Sequence, residues 1–377
     1  MRSRRLLVLM SFLLSVVYST TGLAQQSFPA DSPMWKLEGK DISIEQFLGR
    51  SAIKVRSGKA LLDGVTLQDG LIEFDMYHTG QRAFAYLYFR GDSDQEFEEI
   101  YFRTHKSEAP DTLQYSPVFQ KRSAWQLYHG ESGAVTAVLP ANEWVSVKLE
   151  LSGTKMSVWV GSKDEPVLVI DKLEHEPRNG YMAFRGFVPR TSNAPYAAYF
   201  SNLRITKTIA KASTPSKTPS LPSGQLTQWR VSPAFDSKAG VIKDLPAGLD
   251  QTQWDRAIMQ DNGAFEFLRS RPIPKGSRHW SVVARTTVKS SQKQHCALHL
   301  GFSDELSLSL NGQLLSYQDA RYRFDKPRQQ GLMHPEQAVI YLPLQKGDNE
   351  IQAIVSDDFG GWGLMARIEK CEGVTEI

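Results

Sequence analysis

In the stretch "LSLSLNGQLLSY" the leucines Leu306, Leu308 and Leu310 alternate with Ser307 and Ser309, and a side-chain period of two belongs to an extended strand rather than a helix. Asn311-Gly312 then supplies the pair that tolerates positive φ at both central positions of a two-residue hairpin. The same device recurs through the chain: "LIEFDMY", "AFAYLYF", "WVSVKLELSG" and "KMSVWV" earlier, "HWSVVARTTVK", "CALHLGF" and "AVIYLPLQKGDNEIQAIVSDD" later. In the last of these, Lys346 to Asn349 is expected to turn between two strands as a hairpin. No long stretch carries a helical period. Many short antiparallel strands, each with one apolar face to cover, predict an all-β fold of two-sheet sandwiches or jelly rolls.

Two such sandwiches are expected. The segment 207–225, "KTIAKASTPSKTPSLPSGQ", is rich in Ser, Thr, Pro and Lys and lacks apolar periodicity, as a linker does. It divides a first β-sandwich, 25–206, from a second, 226–377. Its composition suggests that the halves move independently, with docking left open. Residues 1–24 combine a basic start, an apolar run and a small-residue end before Gln25, the layout of a secretory signal peptide. The mature chain is therefore expected to be secreted or periplasmic, with no membrane insertion, because the apolar run is shorter than a membrane span and is not repeated.

Without the three arginines of that leader the formal charge of +3 falls to zero. A nucleic-acid partner thus has no overall electrostatic warrant. The only cysteines, Cys296 and Cys371, predict one disulfide in an oxidising compartment, two buried thiols being the alternative. Neither has a second ligand at zinc spacing, so no metal site is assigned to them.

The candidate site lies in "FEEIYFRTHKSEAPDTLQYSPVFQKRSAWQLYHG", 97–130. Counting by two from Glu99 puts Glu99, Tyr101, Arg103 and His105 on one face and Ile100 and Phe102 on the other. Flat rings interleaved with guanidinium, amide and carboxylate groups form the composition that stacks on the apolar face of a sugar and grips its hydroxyls. Gln114, Tyr115 and Trp125, with Gln126, Tyr128 and His129 beside them, are added as ligand contacts. In "DDFGGWG" Trp362 reads as a core residue in preference to an exposed stacking ring.

At "DGLIEFDMY", "NEWVSVKLELSGTKMSVWV" and "NGYMAFRGF" the first half resembles the concanavalin A-like lectin and glucanase superfamily, in the manner of laminin G-like and 3-keto-disaccharide hydrolase-like domains. Through "LSLSLNGQLL" and "LPLQKGDNEIQAIVSDDFGGWG" the second half is similar to galactose-binding-like jelly rolls. These resemblances imply carbohydrate, an oligo- or polysaccharide, as the partner. They also raise a glycoside hydrolase-like alternative, with Glu73, Asp75, Glu99 and His105 as catalytic candidates. Laminarinase-type relatives carry a further Glu on the strand of Glu73 and Asp75, whereas Tyr77 and His78 follow here, so half of the carboxylate pair is missing. A purely structural or protein-binding role is the third alternative. No cofactor is expected, with one loop calcium at Asp92, Asp94 and Glu96 left open, since the glycine and final glutamate of a calcium loop are absent.

Overall fold

The structure, a computed structural model, describes residues 25–130, 133–208, 221–324, 326 and 330–377. The leader and most of the linker, 209–220, lie outside the described residues. The chain is all-β. Among the described residues no helix is long and apolar enough to cross a membrane.

Strands between Gln25 and Lys207 join one antiparallel 14-stranded sheet. Along its path, Trp144–Ser152 pairs with Gly70–Tyr77, followed by Ala198–Lys207, Arg50–Leu62, Tyr181–Phe187, Phe84–Gly91, Phe97–Arg103 and Leu113–Phe119. The sheet folds over onto itself: the ring of Phe74 lies 6.5 Å from that of Phe102, five strands further along, and 5.0 Å from that of Phe184. The alternation seen in the sequence explains why. Val145, Val147, Leu149 and Leu151 are buried while the residues between them reach solvent, so the apolar face of one half-sheet is covered by that of the other.

The second half is a sandwich of an 8-stranded and a 4-stranded sheet. Trp229, Trp280 and Trp362 fill its core, fully buried, and Trp362 Nε1 donates to the Val355 carbonyl at 3.0 Å. Asn311 and Gly312 take φ of 50° and 79° and close the hairpin between Glu305–Leu310 and Gln313–Asp319. The expected hairpin at 346–349 is different. Ala338–Leu344 belongs to the smaller sheet and Gly347–Asp357 to the larger, so this turn carries the chain across the sandwich, held by Asn349 Nδ2 donating to the carbonyls of Gln345 and Gly347 at 2.8 and 3.0 Å. Ser307 and Ser309 are also buried, and the loop at 240–242 covers the first of them, the Ile242 amide donating to Ser307 Oγ at 3.1 Å. Cys296 and Cys371 are joined as a disulfide across a separation of 75 residues, a loop whose closure contributes about 4 kcal/mol in the chain-entropy model.

The two halves are docked. The turn after Leu113–Phe119 puts Gln120 and Lys121 at φ of 52° and 65°, a mirror-image turn without glycine that costs roughly 1 kcal/mol per residue. The strained residue makes the contact. Gln120 Nε2 donates to the carbonyls of Leu268 and Arg271 at 2.6 and 3.0 Å, and its Oε1 accepts from the Ile273 amide at 3.0 Å. Phe119 joins the core of the second half, and Ala264 and Met333 join that of the first. Tyr128 donates to Glu266 at 2.8 Å, and Arg269 ion-pairs with both Glu266 and Glu174. Glu266 is fully buried at its side chain, so its charge depends on that guanidinium. Replacing Arg269 by Ala is expected to lower the stability of the full chain by about 3 kcal/mol in urea unfolding; a loss below about 1 kcal/mol would show that the junction does not depend on this pair.

Candidate functional site

The outer face of the first sheet, near the junction, is built in transverse rows. Strand register places Arg185 opposite Tyr86, Tyr86 opposite Tyr101 and Tyr101 opposite Gln114. One row aligns Phe187, Phe84 and Arg103, and another Ala183, Tyr88, Glu99 and Ser116. The rings touch across strands, Tyr86 and Tyr101 stacking at 5.4 Å and Tyr88 lying 4.2 Å from Phe97. The Arg185 guanidinium sits 4.8 Å over Tyr86.

This face is the floor of a cavity of about 1210 Å³, and the second half closes one side of it. Trp125, Tyr322 and Phe359 form a triangle of rings with centroids 5.9 to 6.1 Å apart. Arg82 reaches across to stack 4.0 Å over Phe324. Gly360 has φ of 95°, and a Cβ there would lie 2.5 Å from Trp125 Nε1. Only glycine lets that loop approach the indole.

Glu99, Tyr101, Arg103, His105 and Trp125 all line this cavity. Gln114 is buried beneath it: its Oε1 accepts from Tyr101 OH at 2.6 Å and from Arg103 Nη2 at 2.8 Å, and its Nε2 donates to the Trp125 and Tyr128 carbonyls at 2.8 and 2.5 Å. It ties the wall together and does not present itself to a ligand. Tyr115 is a correction. It pairs opposite Ile100 and points into the core, its hydroxyl donating to Glu98 at 2.8 Å, because it is one residue out of step with Gln114. Gln126 and Tyr128 are likewise buried, serving the junction.

Arg103 also has most of its donors occupied. It bonds Tyr101 OH at 2.7 Å, Gln114, and the Asp111 carbonyl at 2.6 Å, and ion-pairs with the Asp111 carboxylate at 3.3 Å. Its role is to set the positions of Tyr101 and Gln114. The groups that sequence reasoning missed lie on neighbouring strands or in the second half: Tyr86 and Arg185 beside the block, Tyr322 and Phe359 across from it. The alternation of Phe84, Tyr86 and Tyr88 in "AFAYLYF" was the available signal for Tyr86; for Tyr322 and Phe359 there was none.

The carboxylate candidates are separated. Glu73 and Asp75 do not line the cavity; Glu73 ion-pairs with Arg204 at 3.5 Å, and Asp75 with Arg50 at 2.7 Å. Within the cavity, Asp94 is paired with Lys121 at 2.6 Å and Asp111 with Lys106 at 2.7 Å. Four residues of strand, about 13 Å, separate Glu99 from Arg103, and His105 lies beyond. The backbones of Glu99 and His105 thus stand farther apart than the roughly 5 to 9.5 Å that separates the two carboxyl groups of a glycosidase. In the loop at 92–96, Asp92 faces Arg178 at 3.0 Å, while Glu96 accepts from the Gln120 amide at 3.1 Å. Those carboxylates answer cations and an amide, and among the described residues no group of three or more potential ligands is placed to hold a metal ion.

No family model and no curated protein matches the chain. Among solved structures it is similar to the carbohydrate-binding module CBM66 from Bacillus subtilis, at 12% identity over 46% of this chain and 92% of that one, with a TM-score of 0.33. It is similar to the Bacillus licheniformis beta-glucanase at 14% identity over 50% and 100%, with a TM-score of 0.35. The exoplasmic/lumenal domain of VIP36, in a Ca2+/Man3GlcNAc-bound form, matches at 11% identity over 48% and 86%, with a TM-score of 0.36.

Burial pushes the Glu99 carboxyl up from 4.5 to about 7, against the hydrogen bond that Ser123 donates at 2.5 Å and the charge of Arg185. Burial likewise holds His105 below its ordinary value, opposed by its contact with the Ala83 carbonyl and aided by Arg82, Lys106 and Arg103. A raised carboxyl binds its proton more tightly in the folded state, so its contribution to stability is complete below about pH 4.5 and is lost as pH rises through about 7. Relative to Glu99→Gln, the native chain is expected to lose thermal stability between pH 5 and pH 8. Parallel melting curves across that range would contradict the assignment.

Proposed function

We propose that the protein is a secreted or periplasmic carbohydrate-binding protein whose site is the cleft at the junction of its two sandwiches, and that it binds without hydrolysing. One observation carries the reading: a concave, ring-lined cleft in which Tyr86, Tyr101, Trp125, Tyr322 and Phe359 are positioned by both halves. Sugar rings expose apolar C–H faces that stack on aromatic side chains, while polar groups at the rim set orientation. Its volume, about 1210 Å³, exceeds the roughly 300 to 1,000 Å³ typical of small-molecule sites and suits an oligosaccharide. The superfamily resemblances of the two halves agree with this reading and supply the fold expected of such modules.

Hydrolysis is the second reading, favoured by one feature: burial pushes the Glu99 carboxyl up to about 7, toward the range a general acid needs. The other two carboxylates of the lining weigh against it, since Asp94 is ion-paired with Lys121 and Asp111 with Lys106 and Arg103. Calorimetric titration of the full chain with a panel of oligosaccharides, with product analysis of the same mixtures, separates the two readings. Binding without cleavage is expected, weakened about tenfold by Tyr86→Ala through loss of a stacking ring. Cleavage products would establish the hydrolase reading, and an affinity unchanged by the substitution would move the site elsewhere.

A further inference from the structure

The cavity is strongly cationic although the mature chain is formally neutral. Ten lysines and arginines line it against three carboxylates. Two of those carboxylates, Asp94 and Asp111, are already neutralised by cations of the same lining. The third, Glu99, is held by Ser123 on the floor.

Several of the cations have no carboxylate partner. Among the described residues, no carboxylate lies within salt-bridge distance of Arg82, Arg122, Arg185 or Arg190. Three of these sit over rings: Arg82 lies 4.0 Å over Phe324, Arg185 4.8 Å over Tyr86 and Arg122 4.9 Å over Trp280. A ring contact restrains a guanidinium without neutralising it, and its remaining N–H groups can take a planar or tetrahedral anion in a bidentate grip. Arg190 is exposed at the rim.

Resting on the carbohydrate reading above, we infer that the ligand is an acidic saccharide, a sugar chain bearing carboxylate or sulfate groups. The rings of the cleft take the sugar faces, and the stacked arginines take the anions. A neutral glycan would leave the excess of cations over carboxylates in the cleft uncompensated, Glu99 being the one lining carboxylate that acts on Arg185, whereas an acidic glycan adds counter-charge. The combination of rings and arginines separates this from a plain polyanion site, which needs charge alone.

The test is calorimetric titration of the full chain with matched pairs: trigalacturonate against neutral 4-linked galactotriose, and a sulfated chondroitin tetrasaccharide against its desulfated form. At least one acidic member is expected to bind about tenfold tighter than its neutral partner, the difference made by one or two charge-assisted hydrogen bonds. That preference is expected to shrink in about 0.5 M NaCl, where the screening length falls to about 4 Å. Which acidic member binds assigns the anion as carboxylate or sulfate. The rim variant Arg190→Gln, which leaves the packed floor intact, is expected to reduce the preference severalfold without abolishing neutral binding. If neutral and acidic members bind equally well, the charge inference fails and the carbohydrate reading stands. If polyglutamate binds as tightly as the acidic sugars, charge alone is being read and the inference fails. If nothing in the panel binds, the carbohydrate reading fails and takes the inference with it.

Discussion

A strand buried on both faces can carry charge only if every charged group finds a partner, and Phe97–Arg103 is buried throughout while bearing Glu98, Glu99 and Arg103. The structure resolves this on each face separately. On the core side the Glu98 carboxylate accepts from Tyr115 OH at 2.8 Å and from the His175 amide at 2.9 Å, and burial still pushes its pKa up to about 7. On the outer side Gln114 acts as the hub between Tyr101, Arg103 and the carbonyls of the loop that leads to the second half. The wall of the cleft and the attachment of the docking loop thus share one side chain. That coupling links the fold of the first sandwich to the placement of the second.

The docking also explains why the outer face is lined with rings. An aromatic sheet face left fully open would be an aggregation liability, but here the second half covers part of it and leaves a bounded cleft. The turn at Gln120-Lys121 bears the conformational cost of this arrangement. Its compensation is three hydrogen bonds from one glutamine to the backbone of the second half. Gly360, on the other side, permits the close approach to Trp125. Neither module forms the cleft alone.

Much of the fold was legible because period-two alternation is a local signal: the Val145 to Leu151 face and the Asn311-Gly312 hairpin follow from residues adjacent in sequence. The turn at 346–349 was misread because the residues of a tight turn do not say which sheet the next strand will join. Within the candidate site, the face shared by Glu99, Tyr101, Arg103 and His105 was visible for the same local reason. Tyr115 was misplaced by one position of parity, since it was chosen for its chemistry and not counted from a strand start. Tyr322 and Phe359 were illegible. They reach the cleft only through a junction between segments some 200 residues apart, and neither lies in a pattern of its own that marks a binding ring.

The central claim is that the ligand site belongs to both halves at once. The most direct measurement is the affinity of the full-length Phe359→Ala variant for a saccharide that the native chain binds. Phe359 belongs to the second half, is half exposed at 52%, and meets the first half at the Trp125 ring, so its loss tests the composite site with little effect on either core. A fall in affinity comparable to that caused by removing a ring from the first half is the predicted result. An affinity indistinguishable from that of the native chain would contradict it, and would return the site to the first sandwich alone.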